Sequence, residues 1–374
     1  MEVTVQIYCG GYVKKPEVSF DLIKEKFLYA ADRLPVTKVL MGWPSDKALY
    51  ERTLELLAKK NIKLYLWFSV FSETGTVKNL SPLVDFSGNK IERDIIKEDE
   101  DFFFCCPNNA DNIKKILEIY DENFSSIGFN GIFLDKIRYP SFANNPGKNG
   151  VFSCFCPECV KYYKSVNFDY KKAVSALSNH ENTLNITEYK GNGKYFFKDE
   201  IIQEFFRIKA EIIFNSLKNI CDHFNKQGLE IGFDVFAPFL APFTGQDIIK
   251  LSSLCDFIKP MMYRVTNAPA GLPFETNALE RHAGNNVIGK NLYSLGFCAE
   301  ELNKLSISCG SSCDVYAGIE INRVKDLAEA DTAYIEETIN AFSKTKIKGY
   351  ALSWNLLDMP QENIDKTAAM LKMQ

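Results

Sequence analysis

Residues 128–140 read GFNGIFLDKIRYP. The stretch Gly131 to Leu134 is apolar on both faces and closes on a carboxylate, Asp135, before Pro140 ends the run. A strand that hides both faces belongs to a parallel sheet covered by helices, because an antiparallel sheet open to water alternates apolar with polar. The same pattern recurs along the chain. Strands are expected over Val3 to Tyr12, Lys38 to Trp43, Lys63 to Phe71, Gly131 to Ile137, Glu230 to Phe236, Asp256 to Tyr263, Val315 to Asn322 and Gly349 to Asn355. Helices are expected between them, over Ser19 to Arg33, Ala48 to Lys60, Asp111 to Phe124, Asp199 to Lys226, Ala328 to Lys344 and Gln361 to Lys372. There apolar residues return at i, i+3, i+4 and i+7, as in Ile113, Ile116, Leu117 and Tyr120.

Eight strand–helix units predict an α/β fold, a (β/α)8 or TIM barrel, which takes about 250 residues without insertions. The 374 residues exceed that. The surplus is expected in three stretches, 72–106, 140–198 and 264–314, each following a strand and so lying on the C-terminal face, where barrel active sites are built. No Pro- or Ser-rich linker divides the chain, so 1–374 reads as one elaborated barrel.

Composition excludes several classes of function. With 44 Lys plus Arg against 48 Asp plus Glu, 46% hydrophobic residues and 13% aromatics, the chain is neither disordered nor a polyelectrolyte. A net charge of -4 with no basic block argues against nucleic acid as a partner. The 3 histidines, His180, His223 and His282, form no H-x-H or H-E-x-x-H pair, which excludes a histidine-built metallohydrolase. No glycine-rich phosphate loop is present, since Gly10 and Gly11 do not extend into one. No organic cofactor is therefore expected. No run of 18 apolar residues predicts a membrane span, and the N-terminus lacks signal-peptide features; the expectation is a cytoplasmic protein, or a secreted one with its signal removed.

Charged residues inside apolar strands are costly unless paired or catalytic. Asp135 closes the fourth strand and Asp234 lies in the fifth. Lys259 and Tyr263 belong to the sixth, Glu320 to the seventh, and Trp354 and Asn355 to the eighth. Asp135, Glu320 and Asp234 are the catalytic candidates, with Glu320 the first expected partner of Asp135 and Asp234 the second, because glycoside cleavage needs one carboxyl group to protonate the leaving oxygen and a second to attack or to activate water. Aromatics that stack on sugar faces should surround them. Tyr8, Trp43, Trp67, Tyr263 and Trp354 all fall at strand ends, and these include all 3 tryptophans of the chain. Tyr263, Trp354, Arg138 and Asn355 are expected to orient the sugar, with Lys259 as a further binding group. Arg207 and Lys209 are expected to be solvated.

The string GFNGIFLDKIRYP resembles the G-F-D-G-I-x-L-D-Y-I-R-Y-P segment of glycoside-hydrolase-like barrel families. FCCPNNADN, DFIKPMMY and GYALSWN are similar to other recurring segments of theirs. The resemblance implies a carbohydrate-active (β/α)8 enzyme, an oligo- or polysaccharide substrate and Asp135 as a catalytic residue. Asn130 departs from the families' Asp and Lys136 from their aromatic residue. The Asn-Glu pair that the large retaining clan carries after strand four is absent.

Cys154, Cys156 and Cys159 form a C-x-C-x-x-C cluster after the fourth strand, and Cys105 and Cys106 follow the third, next door in a barrel. Four thiolates make a closed tetrahedral zinc site with no open position, structural rather than catalytic. The pattern is similar to the four-cysteine zinc site of family 42 glycoside hydrolases. That resemblance implies Cys106, Cys154, Cys156 and Cys159 as ligands, with Cys105 an alternative to Cys106.

Two other functions fit the same residues. Lys259 suits a Schiff-base aldolase or lyase if it is desolvated, and a barrel without the Asn-Glu pair suits carbohydrate binding without turnover. Sugar, linkage, exo or endo action, anomeric outcome and oligomeric state leave no mark in the sequence.

Overall fold

The computed structural model describes residues 1–9, 18–44, 46–74, 77–96, 100–144, 147–178, 184–283 and 291–373. Eight strands close into an all-parallel barrel in sequential order. They are β1 (Glu2–Tyr8), β2 (Val36–Gly42), β3 (Lys63–Ser69), β4 (Gly131–Asp135), β5 (Glu230–Val235), β6 (Phe257–Pro260), β7 (Asp314–Glu320) and β8 (Gly349–Ser353). The ring closes where β1 pairs with β8, Thr4 lying opposite Ala351. This is the expected (β/α)8 barrel. Its outer helices are α1 (Phe20–Ala31), α2 (Lys47–Ala58), α3 (Ala110–Asn123), α4 (Glu200–Asn225), α5 (Ile248–Leu251), α6 (Leu295–Cys309), α7 (Thr332–Phe342) and α8 (Gln361–Lys372).

Strand alternation divides the apolar residues between two cores. Outward residues such as Val5, Val39, Leu66, Leu134 and Ile319 pack under the helices. Inward residues Leu40, Tyr65, Phe133, Phe257, Tyr316 and Ala351 fill the barrel. Phe133 stacks on Phe257 with ring centroids 5.9 Å apart, and Tyr65 meets Phe257 edge-on at 5.6 Å. The large ring of Phe257 fits because the residue opposite it on β5 is Gly232, where a Cβ would lie 2.1 Å from that ring.

Several boundaries differ from expectation. The expected strands overrun the true ones by up to four residues, and residues 10–12 of the first lie outside the described residues, as does His180. After Asp135 the backbone of Lys136 turns into the left-handed region (φ +51°), which breaks the alternation. Ile137 therefore joins the outer core rather than sharing the inward face of Phe133. The stretch 264–314 is not all insertion: it ends in the barrel helix α6. The expected helix from Ala328 begins instead at Thr332, capped by Asp331, because Ala328–Glu329 pairs as a strand with Arg323–Val324.

The loops after β3, β4 and β6 are the long ones, the last carrying the helix Leu272–Ala283. The first carries the hairpin Asp94–Ile96 with Glu100–Phe102. The second carries the short helices Pro157–Ser165 and Tyr170–Ser178 and the hairpin of Ile186–Tyr189 with Tyr195–Phe197. Among the described residues no helix is long and apolar enough to cross a membrane.

Gly232→Ala drives a methyl group into the Phe257 ring and should lower stability by about 1–3 kcal/mol. A fall in the urea midpoint with an unchanged slope checks this; an unchanged midpoint would mean that the ring has room to move.

Candidate active site and cysteine centre

The barrel interior is built in layers. At its N-terminal end Lys38 donates to the Tyr316 hydroxyl (3.0 Å), and that hydroxyl donates to Glu2 (2.6 Å). The aromatic layer lies over this pair, and a polar layer follows. Lys259 Nζ is 2.9 Å from Asp234 Oδ2 and 3.0 Å from Gln6 Oε1, and Gln6 Oε1 also accepts from Ser353 Oγ at 2.7 Å. Lys259 and Asp234 occupy paired positions of β6 and β5, and their side chains are only 1% and 3% exposed. The lysine stem has room because β7 offers Gly318, where a Cβ would stand 2.9 Å from Lys259 Cε. A buried charge of one sign requires the other beside it.

Above the polar layer lies the mouth. Asp135 is half-buried at the end of β4; its Oδ2 accepts from Trp67 Nε1 at 2.9 Å and its Oδ1 from the backbone N–H of Lys136. Trp67 and Trp43 have ring centroids 5.1 Å apart, and Tyr8 meets Trp43 edge-on at 5.2 Å. The Lys136 ammonium lies 5.1 Å over the Trp43 ring and donates to Thr74. The Tyr263 ring lies 5.3 Å from the Lys259 ammonium. Burial, then the negative charge of Asp234, holds its hydroxyl proton tightly. Trp354 is half-buried at the end of β8, its backbone N–H donating to Asn322 (3.2 Å).

The three carboxylates differ in what they are free to do. Burial pushes the Asp234 carboxyl up to about 7; Lys259 pulls it down and the charge of Asp135 pushes it further up. Its Oδ1 has no hydrogen-bond partner among the described residues. Glu320 is also raised to about 7 by burial, against the hydrogen bonds it receives. Its Oε1 accepts the N–H groups of Val265 (2.6 Å) and Thr266 (3.1 Å), and its Oε2 accepts the Tyr334 hydroxyl (2.7 Å). Glu320 is therefore occupied in fixing the start of the loop after β6, whereas Asp135 is only half-buried and Asp234 keeps one oxygen without a partner.

Two other sequence candidates have structural partners. Asn355 accepts from the Tyr8 N–H (3.0 Å) and donates to Asp358 (2.8 Å), joining β1 to the turn after β8. Arg138 is buried between the rings of Phe104 and Phe236 and donates to the Tyr139 carbonyl (3.0 Å). Lys259, the candidate Schiff-base nucleophile, is buried and donates to two acceptors. Sequence reasoning missed Gln6 and Tyr334. Gln6 was detectable as an inward polar position between Thr4 and Tyr8, whereas Tyr334 sits in a helix with nothing to mark it.

The sulfurs of Cys106, Cys154, Cys156 and Cys159 all lie within 4.8 Å of one another, and Cys106 is 3.5 Å from both Cys156 and Cys159. All four residues are buried. Four thiolates about 2.3 Å from a central zinc stand about 3.8 Å apart, so the cluster fits a structural zinc in spacing and in donor chemistry. Cys105 lies outside this cluster, and burial, then the charge of Glu73, holds its thiol up. The expectation that Lys209 is solvated fails. It is fully buried, because it falls on the same face of α4 as Phe205, Ile208 and Ile212.

The barrel is shared with solved glycoside hydrolases. The glycoside hydrolase domain of PgaB (BpsB) from Bordetella bronchiseptica is similar with a TM-score of 0.58 and 11% identity, over 99% of this chain and 97% of that one. Alpha-L-fucosidase isoenzyme 2 from Paenibacillus thiaminolyticus is similar with a TM-score of 0.54 and 13% identity, over 98% of this chain and 49% of that one. Neither a protein-family model nor a curated protein sequence matches the chain.

Glu320 has a folded-state pKa above its ordinary 4.5. Below that value it is protonated in both states. Between about 4.5 and 7 the unfolded chain releases its proton first, so stability falls as pH rises. The loss is complete above 7 and amounts to about 3 kcal/mol at most. Glu320→Gln should remove this part of the pH dependence. Urea unfolding at pH 4.5 and pH 8 checks it, and a slope unchanged from wild type would refute the burial argument.

Proposed function

We propose that the protein is a glycoside hydrolase acting on an oligo- or polysaccharide, with Asp135 and Asp234 as its working carboxylates. The observation that carries this reading is the placement of Asp135 at the aromatic mouth of the barrel, within electrostatic reach of Asp234. The resemblance of GFNGIFLDKIRYP to glycoside-hydrolase-like barrels and the shared fold support it.

Asp234, protonated near neutral pH by its burial, is the acid. Its proton passes to the glycosidic oxygen while the bond from that oxygen to the anomeric carbon breaks, and the leaving sugar departs as an alcohol. Asp135, its carboxylate steadied by Trp67, either bonds to the anomeric carbon or takes a proton from the water that does. Lys259 then faces the new Asp234 carboxylate, and the hydrogen bond between them becomes an ion pair. Tyr8, Trp43, Trp67 and Trp354 offer ring faces to the sugar, and Tyr263 a hydroxyl. Glu320 keeps the loop after β6 in place.

We further propose that Cys106, Cys154, Cys156 and Cys159 hold structural zinc, as the resemblance to family 42 glycoside hydrolases implies. When bound, the ion supplies a closed cross-link between the loops after β3 and β4. The residues themselves add to that link, since the Val84 N–H donates to Cys154 Sγ at 3.3 Å and Tyr163 donates to the Cys154 carbonyl at 2.8 Å.

A panel of aryl glycosides and polysaccharides tests the function. Asp135→Asn should lower turnover by about 10²–10⁴-fold with the fold intact by circular dichroism. Unchanged activity would remove Asp135 from the reaction. Sugar binding without turnover on every glycan would favour the non-catalytic barrel.

The pH profile tests the acid. Turnover should fall about tenfold per pH unit above 7, as Asp234 loses its proton, and Asp234→Asn should abolish that limb. A limb retained in the variant would assign the proton to another group.

A further inference from the structure

Lys209 belongs to no step of the proposed reaction, and it is 0% exposed in the middle of α4. Its ammonium donates to the carbonyl of Val151 and lies 4.0 Å from the centre of the Tyr139 ring. One carbonyl satisfies one of its three N–H groups. Among the described residues no carboxylate lies within ion-pair distance of it. A buried lysine without an acid beside it is among the most costly arrangements a protein can keep. Burial pulls its ammonium well below the usual lysine range, and the negative sulfurs of Cys154 and Cys159 act against that.

The opposite need exists next door. Four thiolates around one divalent ion carry a net charge of about −2 in a pocket closed to water. We infer that Lys209 is the counter-charge of the cysteine centre, a positioning residue that lets the four thiolates remain ionised together around zinc. This rests on the zinc reading given above. The same face of α4 reaches both ligand loops. Ser216, two turns further on, donates to the Pro107 carbonyl at 2.7 Å, next to Cys106, while Lys209 holds Val151, three residues before Cys154. Of these two supports only Lys209 brings charge, and it does so on the side where three of the four ligands lie.

The full-length protein, purified without chelator, is first analysed for metal. Zinc affinity is then measured by competition with a chromophoric chelator, and unfolding is followed with and without zinc. The comparison is wild type, Lys209→Met, Lys209→Gln and Ser216→Ala. Wild type should hold one zinc. Lys209→Met and Lys209→Gln should both bind zinc about 10–100-fold more weakly, although glutamine can still donate to Val151. Metal-free Lys209→Met should unfold no earlier than metal-free wild type, because the burial cost of the ammonium is gone. Ser216→Ala should bind zinc within a few-fold of wild type.

Wild-type affinity in Lys209→Gln, or an equal loss of stability with and without zinc in Lys209→Met, would overturn the counter-charge role. If Lys209→Met does not fold, the Lys209→Gln affinity decides alone. Wild type that takes up no zinc even on reconstitution would overturn the zinc reading itself, and the role of Lys209 with it.

Discussion

A buried polar side chain must find partners inside a dry barrel, and the mouth of this one is organised around the hydrogen bond from Lys259 to Asp234. Each residue is buried, and each occupies an inward position that a hydrophobic side chain would fill at less cost. Once the pair is there, the neighbours are constrained. Gln6 must present its carbonyl oxygen to the lysine, Ser353 must give its hydroxyl to Gln6, and β7 must carry glycine at 318 to leave space for the lysine stem. The Tyr263 ring lies beside the lysine. Residues from β1, β5, β6, β7 and β8 thus answer to one buried lysine–carboxyl contact, which makes the polar layer a single unit resting on the aromatic layer beneath it.

The three strand-end carboxylates show how environment divides one chemistry into separate tasks. Glu320 and Asp234 are both buried and both hold their protons up to about pH 7. Glu320, however, accepts two backbone N–H groups and a tyrosine hydroxyl, a saturated shell that belongs to architecture. Asp234 has one oxygen bound to a lysine and the other without a partner. Asp135, alone of the three, is not fully buried. Residue type alone could not separate them, since all three are carboxylates near the C-terminal ends of their strands. What separates them is the loop that folds over each strand end.

The barrel was legible because a two-sided apolar strand is a local property, written in consecutive residues, and all eight strands are found where that pattern predicts them. Their ends were less legible. Apolar residues continue past Asp135 into Ile137, but the left-handed backbone at Lys136 sends them to a different core. α6 escaped because it lies in a stretch whose surrounding loops dominate the pattern, and the hairpin before α7 because two-residue strands carry no periodicity. The chemistry-bearing residues could be named from charge inside apolar runs, and the cysteines from their spacing. Their partners could not, because which strand faces which is a property of closure rather than of any segment. Lys209 illustrates the limit: its charge suggested solvent, while the stripe of Phe205, Ile208 and Ile212 around it indicated the core.

α4 has 26 residues, against 11 to 15 in the other long barrel helices. At 1.5 Å per residue it spans roughly 39 Å, about twice the length of the strand it follows back down. The excess cannot lie against the barrel, so its first turns stand above the rim as a post, with the ligand loops fastened to it at Lys209 and Ser216. One quadrant of the mouth is thereby stiffened from outside, independently of the sheet. Any molecule approaching Asp135 has this helix, with the loops fastened to it, on the β3–β4 side of the opening.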